Sequence, residues 1–245
     1  MRRLAAPLLL LLLPITASAW TRASDLRIAQ GALELAPPDL HLVLNRFEPE
    51  FGRGLERAEN DEGSEIHHYF VLSRQGKLRE RIEQETRGTI AMIRGNQPMS
   101  LVAEHLGMLA HLVADANNPF HTSDADPRLG LMHDDFEQYF ERRMAHFPTV
   151  FYGLSADFQL GNYLDRTVAR SSRLLPLMSE EYFRDGAAHR SLDFDDRSTA
   201  FGVASVCYSH ALTDLVNLYY YIWREAGGDV RSAAARRPAV IRPPS

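Results

Sequence analysis

Apolar residues in this chain recur at the spacing of a helix and almost nowhere at the spacing of a strand. Leu101, Leu106, Leu109, Leu112 and Val113 form one stripe, and Phe201, Val206, Leu212, Leu215, Tyr219 and Ile222 form another. Side chains three and four residues apart share a helix face, so each stripe can bury against a core. Prolines mark the breaks. Pro37-Pro38 ends a helix predicted over 24–35, Asp39 opens a second, and Pro49 kinks or ends it. Residues 50–65 read as a short helix running into an acidic loop. Further helices are predicted over 77–92, 99–116, 131–147, 160–178 and 198–226. The expectation is an all-α chain, a single compact domain of about seven helices, with strand content close to none.

The two ends read differently. MRRLAAPLLLLLLPITASA has a basic start, an apolar run from Leu4 to Leu13 and a small-x-small end at Ala17-Ser18-Ala19. That pattern predicts a secretory signal peptide over 1–19, with Trp20 as the new N-terminus and export to the periplasm or the extracellular space. The apolar run is short for a membrane span. The domain is expected over 20–229, and residues 230–245, which include SAAARRPAVIRPPS, are expected to be a disordered tail. The formal net charge is −5, and cleavage removes Arg2 and Arg3, so a general electrostatic pull on nucleic acid is excluded. There is one cysteine, Cys207, so no internal disulfide can form. It falls in the last apolar stripe and reads as a core residue. Stability must then come from packing or from bound metal.

HLVADANNPFH, residues 111–121, carries the chemistry. His111 and Asp115 are four apart on one helix face, so both side chains can reach one ion. Asn117-Asn118-Pro119 ends the helix, and His121 follows where the chain can fold back. His133 and Glu137 repeat the four-residue spacing. Upstream, His67-His68 follows Glu59, Asp61, Glu62 and Glu65. A lone His/Asp pair is commonly a surface hydrogen bond. Two such pairs within a short span, with His121 between them, point to a metal cluster, and imidazole with carboxylate suits zinc.

These residues resemble the zinc-dependent phospholipase C and S1/P1 nuclease superfamily. Its pattern is H-x-x-x-D, six residues to a His, then a later H-x-x-x-[DE], which His111, Asp115, His121, His133 and Glu137 match in order. A mature N-terminal Trp that binds metal through its free amine is a second hallmark, and Trp20 matches it. The resemblance implies an all-α fold around a trinuclear zinc site. His111 and Asp115 would hold the first ion with an upstream His and carboxylate. For these the resemblance favours His68, which an aromatic follows, with His67 as the alternative, and Glu59, with Asp61 as the alternative. His121, His133 and Glu137 would hold the second. Trp20 and a bridging Asp115 would hold the third. Where the nuclease branch carries a His five residues after the Trp, this chain has Asp25, which would either ligate the third ion or cap the first helix. Glu59 likewise stands for the family's usual Asp.

The implied activity is phosphodiester hydrolysis by a zinc-activated water, with no protein nucleophile and with Glu59 as a proton acceptor. Glu137, the short interval from His121 to His133 and the missing disulfides resemble the phospholipase branch. A phospholipid is therefore expected as substrate over single-stranded nucleic acid, with peripheral membrane contact and a monomeric chain. Asn60 stands where the choline-cleaving enzyme has an aromatic, which argues against phosphatidylcholine itself. A structural-zinc protein without activity is the non-enzymatic alternative. Tyr69 and Phe70 would line a headgroup pocket or pack in the core.

Overall fold

The computed structural model describes residues 20–60, 63–230 and 238–241. The expected signal peptide and Asp61 lie outside the described residues, as do residues 231–237 and 242–245 of the tail.

The fold is all-α. In chain order the helices are α1 (Arg22–Leu33), α2 (Pro38–Arg46), α3 (Glu48–Glu59), α4 (Leu78–Arg94), α5 (Met99–Ala116), α6 (Pro119–Thr122), α7 (His133–Arg143), α8 (Leu160–Ser172), α9 (Leu175–Tyr182) and α10 (Thr199–Glu225). The ten described helices exceed the expected seven because prolines start elements as well as ending them. Pro38 sits in the first turn of α2 and Pro49 in the first turn of α3, where the missing N–H costs nothing. Residues 50–65 accordingly hold most of a twelve-residue helix, α3. Pro176 divides the predicted 160–178 helix into α8 and α9 in the same way. Thr21, and not Asp25, is the N-cap of α1: its hydroxyl accepts from the Ser24 N–H.

α5 is the axis of the molecule. From Val102 onward it is buried on nearly every face, with α3 and α4 against it, and α1 and α10 closing the core. Two helices approach closely at Gly107, where a Cβ would come within 2.1 Å of the Phe51 carbonyl oxygen. α3 therefore lies tight on α5, and its C-terminal residue, Glu59, is close enough to add to the field at Asp25 and His111. Cys207 is buried in α10, as its place in the apolar stripe predicts.

The tail corrects an expectation in part. β2 (Ala239–Ile241) pairs antiparallel with β1 (Thr149–Phe151), Val150 opposite Val240. The other edge of the β1 segment is tied to side chains of α10: Val150 N–H donates to Ser209 Oγ and Tyr152 N–H to Thr213 Oγ1, one helical turn apart. The strand's backbone groups are thus satisfied on both sides, and a disordered tail does not describe residues 239–241.

Candidate metal centre

The centre forms where four segments meet: the start of α1, the extended stretch after α3, the end of α5 with α6, and the first turns of α7. Asp25 projects from α1. His111 and Asp115 project from one face of α5, as their spacing requires. The α5 helix stops at Asn117, and the Asn118 side chain caps the short α6 by accepting from Phe120 N–H. That turn swings His121 back toward the axis. His133 opens α7, whose first turn carries Asp134 and Asp135, favourable at a helix N-terminus.

The donors fall into two groups. In the first, His67, His111 and Asp115 offer ligand atoms that all lie within 4.8 Å of one another, and all three are buried. His67 Nδ1 donates to Asp115 Oδ2 at 2.8 Å and lies 3.3 Å from His111 Nε2. In the second, His68, His121 and His133 satisfy the same 4.8 Å limit. His121 Nε2 and His133 Nε2 are 2.7 Å apart, and Glu137 Oε1 lies 2.9 Å from the latter and 3.4 Å from the former. Asp115 Oδ1 faces the second group too, 3.8 Å from His121 Nδ1.

The placement of His68 with His111 and Asp115 is thus corrected: His67 meets them, and His68 faces the other group, its ring stacked on His121 at 4.7 Å. The reason is backbone geometry. Tyr69 N–H donates to the His121 carbonyl at 2.9 Å and Val71 N–H to the Thr122 carbonyl at 3.0 Å, so this stretch runs as an extended edge along α6. Successive side chains of an extended segment point to opposite sides. The aromatic Tyr69 follows His68 but does not decide which histidine turns toward α5.

Several contacts orient the imidazoles. His111 Nδ1 donates to Asp25 Oδ2 at 2.6 Å, which leaves Nε2 facing His67 and Asp115. His121 Nδ1 donates to the His67 carbonyl at 2.6 Å, which leaves its Nε2 facing His133 and Glu137. A ligating histidine characteristically gives its other N–H to a carboxylate or a carbonyl in this way. Asn118 Nδ2 donates to Glu137 Oε1 at 3.3 Å. In the sequence Asn118 reads only as a helix terminator, and nothing in its spacing announces this contact.

Charge and burial tune the groups. Burial pushes the Asp25 carboxyl up, to about 6, against the pull of His111. Burial alone would depress His111, but Asp115 and Asp25 outweigh it and carry the imidazole up to about 9. Burial likewise acts to raise Asp115, yet His111, with a hydrogen bond from His67, holds it below the ordinary carboxylate value. His121 is pushed well below its ordinary value by burial and stays neutral, with a lone pair on Nε2.

The donor set fits a metal. Asp25 Oδ1 and Asp115 Oδ1 are both buried and neither has a hydrogen-bond partner. An unpartnered buried carboxylate oxygen costs free energy unless a cation or a water satisfies it. Two such oxygens beside two clusters of imidazole nitrogens are the chemistry of a zinc or similar site.

The remaining candidates lie at the margin. Trp20 is fully buried at the back of the centre, its indole N–H donating to the Ala114 carbonyl at 2.7 Å and its ring edge-on to Phe140 at 3.9 Å. Glu59, half-buried at the end of α3, contributes to the field at Asp25 and His111 but belongs to neither group of converging ligand atoms. Tyr69 packs against the core and Phe70 lies tilted on His68 at 5.3 Å. Asp135 is engaged elsewhere, accepting from Tyr182 Oη and Ser191 N–H.

Hydrogen bonds with α8 and α10 lock the turn after α5. Asn117 Nδ2 donates to Asp214 Oδ2 at 3.0 Å, and Arg170 Nη2 reaches both Asp214 Oδ2 (2.5 Å) and Asn117 Oδ1 (2.9 Å). Tyr163 Oη donates to Asp214 Oδ1 at 2.6 Å. This network joins α8 and α10 to the residue midway between Asp115 and Pro119.

Fold and site together define an all-α protein with two adjoining His/carboxylate groups built on a central helix. Among solved structures it is similar to Clostridium perfringens alpha-toxin from avian strain SWCP, with a TM-score of 0.61 and 12% sequence identity. The match covers 86% of this chain and 65% of the toxin chain, so this chain spans less than two thirds of that protein's length. The likeness shows a shared all-α fold. No family model matches the sequence. No curated protein matches it either.

Proposed function

We propose that this chain is an exported zinc-dependent phosphodiesterase of the phospholipase C type. One observation carries the reading: two groups of His and carboxylate donors, all but His68 buried, adjoin at Asp115, which leaves one carboxylate oxygen unpartnered. The likeness in fold to alpha-toxin and the match of His111, Asp115, His121, His133 and Glu137 to the superfamily pattern support it.

His67, His111 and Asp115 would hold one zinc ion, with Glu59 beside it, and His121, His133 and Glu137 a second. By the resemblance, Trp20, Asp25 and a bridging Asp115 would hold a third. Zinc bound there would lower the pKa of a water and neutralise charge on a phosphate group. The chain's own work is orientation and proton handling. Asp25 and the His67 carbonyl fix two imidazoles in their ligating tautomers. Glu59, close enough to feel His111 yet half-exposed, would accept a proton from the attacking water. Burial of the imidazoles excludes bulk water and strengthens each of these contacts.

A phospholipid substrate is favoured by what surrounds the centre. Leu72 and Leu131 are 71% and 81% exposed. Leu131 precedes His133 by two residues, and Leu72 follows Val71, whose N–H is bonded to Thr122 beside His121. Leu192, 80% exposed, adjoins Ser191, which is bonded to Asp135 near the start of α7. Exposed leucines beside a phosphodiesterase centre suit contact with a lipid surface.

The test is metal analysis of the mature protein with turnover of bis-nitrophenyl phosphate, phosphatidylethanolamine vesicles and single-stranded DNA. About three zinc ions per chain with turnover of the first two substrates is the expected result. One ion and no turnover would sink the enzyme reading, and turnover of DNA in place of vesicles would transfer it to the nuclease branch.

A further inference from the structure

We propose that His68 is a fourth protein ligand in the second donor group, so that an ion there is held by His68, His121, His133 and Glu137. The inference rests on the zinc reading above, and it departs from the three-ligand set that the sequence resemblance implies.

Three imidazoles come together, and the Glu137 carboxylate adjoins two of them, His133 and His121. The ligand nitrogens of His68, His121 and His133 lie within 4.8 Å of one another, and Glu137 Oε1 lies 2.9 Å from His133 Nε2. The backbone at His68 is held from several directions. Leu78 N–H donates to the His68 carbonyl at 3.1 Å, and the neighbouring residues bond to α6: the His67 carbonyl accepts from His121 Nδ1 and Tyr69 N–H donates to the His121 carbonyl. Behind it the chain turns back through Gly76, at φ +95, where any Cβ would come within 1.9 Å of the His68 carbonyl oxygen. Only glycine permits that close approach in that conformation. The position of His68 is therefore built into the turn, and both members of the His67-His68 pair are used, one on each side of an extended segment.

The consequence concerns which ion can be open. Zinc is usually four-coordinate, and catalytic zinc keeps three protein ligands and one free position. Three imidazoles and one carboxylate fill a tetrahedral shell. An ion in the second group would then serve as a closed anchor or would have to expand its coordination. The open position falls to the first group, where Glu59 stands by.

The alternative role for His68 is that of a ring stacked on His121, and His68→Phe separates the two, because phenylalanine stacks but cannot ligate. The experiment titrates metal-free mature protein, wild type and His68→Phe, with cobalt(II) and with zinc. It follows the cobalt absorption, which is intense for four-coordinate ions and weak for six-coordinate ones. The expected result is that His68→Phe binds one equivalent at least about 10- to 100-fold more weakly, with a loss of intensity for that equivalent. If circular dichroism shows His68→Phe misfolded, His68→Asn takes its place. Unchanged affinity and spectrum in the variant would overturn the proposal and leave the zinc reading standing. A wild-type protein that binds no cobalt or zinc would overturn both.

Discussion

Asp25 and His111, 86 residues apart in sequence, meet at 2.6 Å, Oδ2 against Nδ1, with both side chains shut away from solvent. The contact gives Asp25 two tasks. One oxygen orients the His111 imidazole, and the other, unpartnered, remains for a cation. Asp25→Asn keeps an acceptor of the same shape and removes the charge. The expected outcome is a zinc affinity at the first group about 10- to 100-fold weaker, measured by chelator competition. Equal affinity would mean that the charge on Asp25 does not support His111.

The same pair makes metal uptake depend on pH. Asp115 and Asp25 push the His111 imidazole up to about 9, so at pH 7 a metal must displace its proton. Apparent zinc affinity should therefore rise about tenfold per pH unit from 7 toward 9 and level off above, with proton release seen in a weakly buffered indicator solution. The sign for stability follows too. His111 is raised from 6.5 to about 9 in the fold, so its contribution is present below 6.5 and is lost as pH rises through 9. Metal-free protein should have a lower Tm at pH 9 than at pH 6.5. A flat affinity profile between 7 and 9 would contradict the raised pKa.

With cleavage after Ala19, as we propose, the Trp20 side chain can be tested apart from its amine. Trp20→Ala removes a buried ring and the bond to Ala114, and should cost about 3–5 kcal/mol of stability in thermal unfolding. Adding one alanine before Trp20 leaves the ring in place. It should lower the bound zinc by one ion and reduce phosphodiester turnover, with little change in the Tm of the metal-free protein. Full zinc content and activity in the extended chain would remove the amine from the ligand set.

The exposed leucines should matter for lipid and not for chemistry. Replacing Leu72, Leu131 and Leu192 together with serine should weaken binding to phosphatidylethanolamine vesicles by about tenfold or more, since each buried leucine contributes on the order of 1.5–3 kcal/mol. Turnover of soluble bis-nitrophenyl phosphate should not change. Loss of both activities together would show that these residues act through the fold of the centre.

Much of the fold is legible in the sequence. Helical spacing marked α5 at Met99–Ala116 with both ends as expected, because its apolar stripe is continuous and its stop signal, Asn-Asn-Pro, is strong. Elements opened by a proline were harder, because the same residue closes one helix and starts another. That is why residues 50–65 read as part helix and part loop, and why 160–178 reads as one helix. The three-residue strands were invisible, since β1 finds its partners in α10 side chains and in a distant tail.

The division at the centre has the same physical origin. The sequence by itself determined that His111 with Asp115 and His133 with Glu137 would each share a helix face, because helix periodicity is local. It also determined that a proline turn would bring His121 near. Only the tertiary structure decided which of His67 and His68 faces α5, because an extended segment sends neighbours to opposite sides and the sign is set by how that segment lies on α6. Only the tertiary structure decided that Asp25 meets His111, because that contact depends on how α1 packs against α5, and no spacing along the chain encodes it.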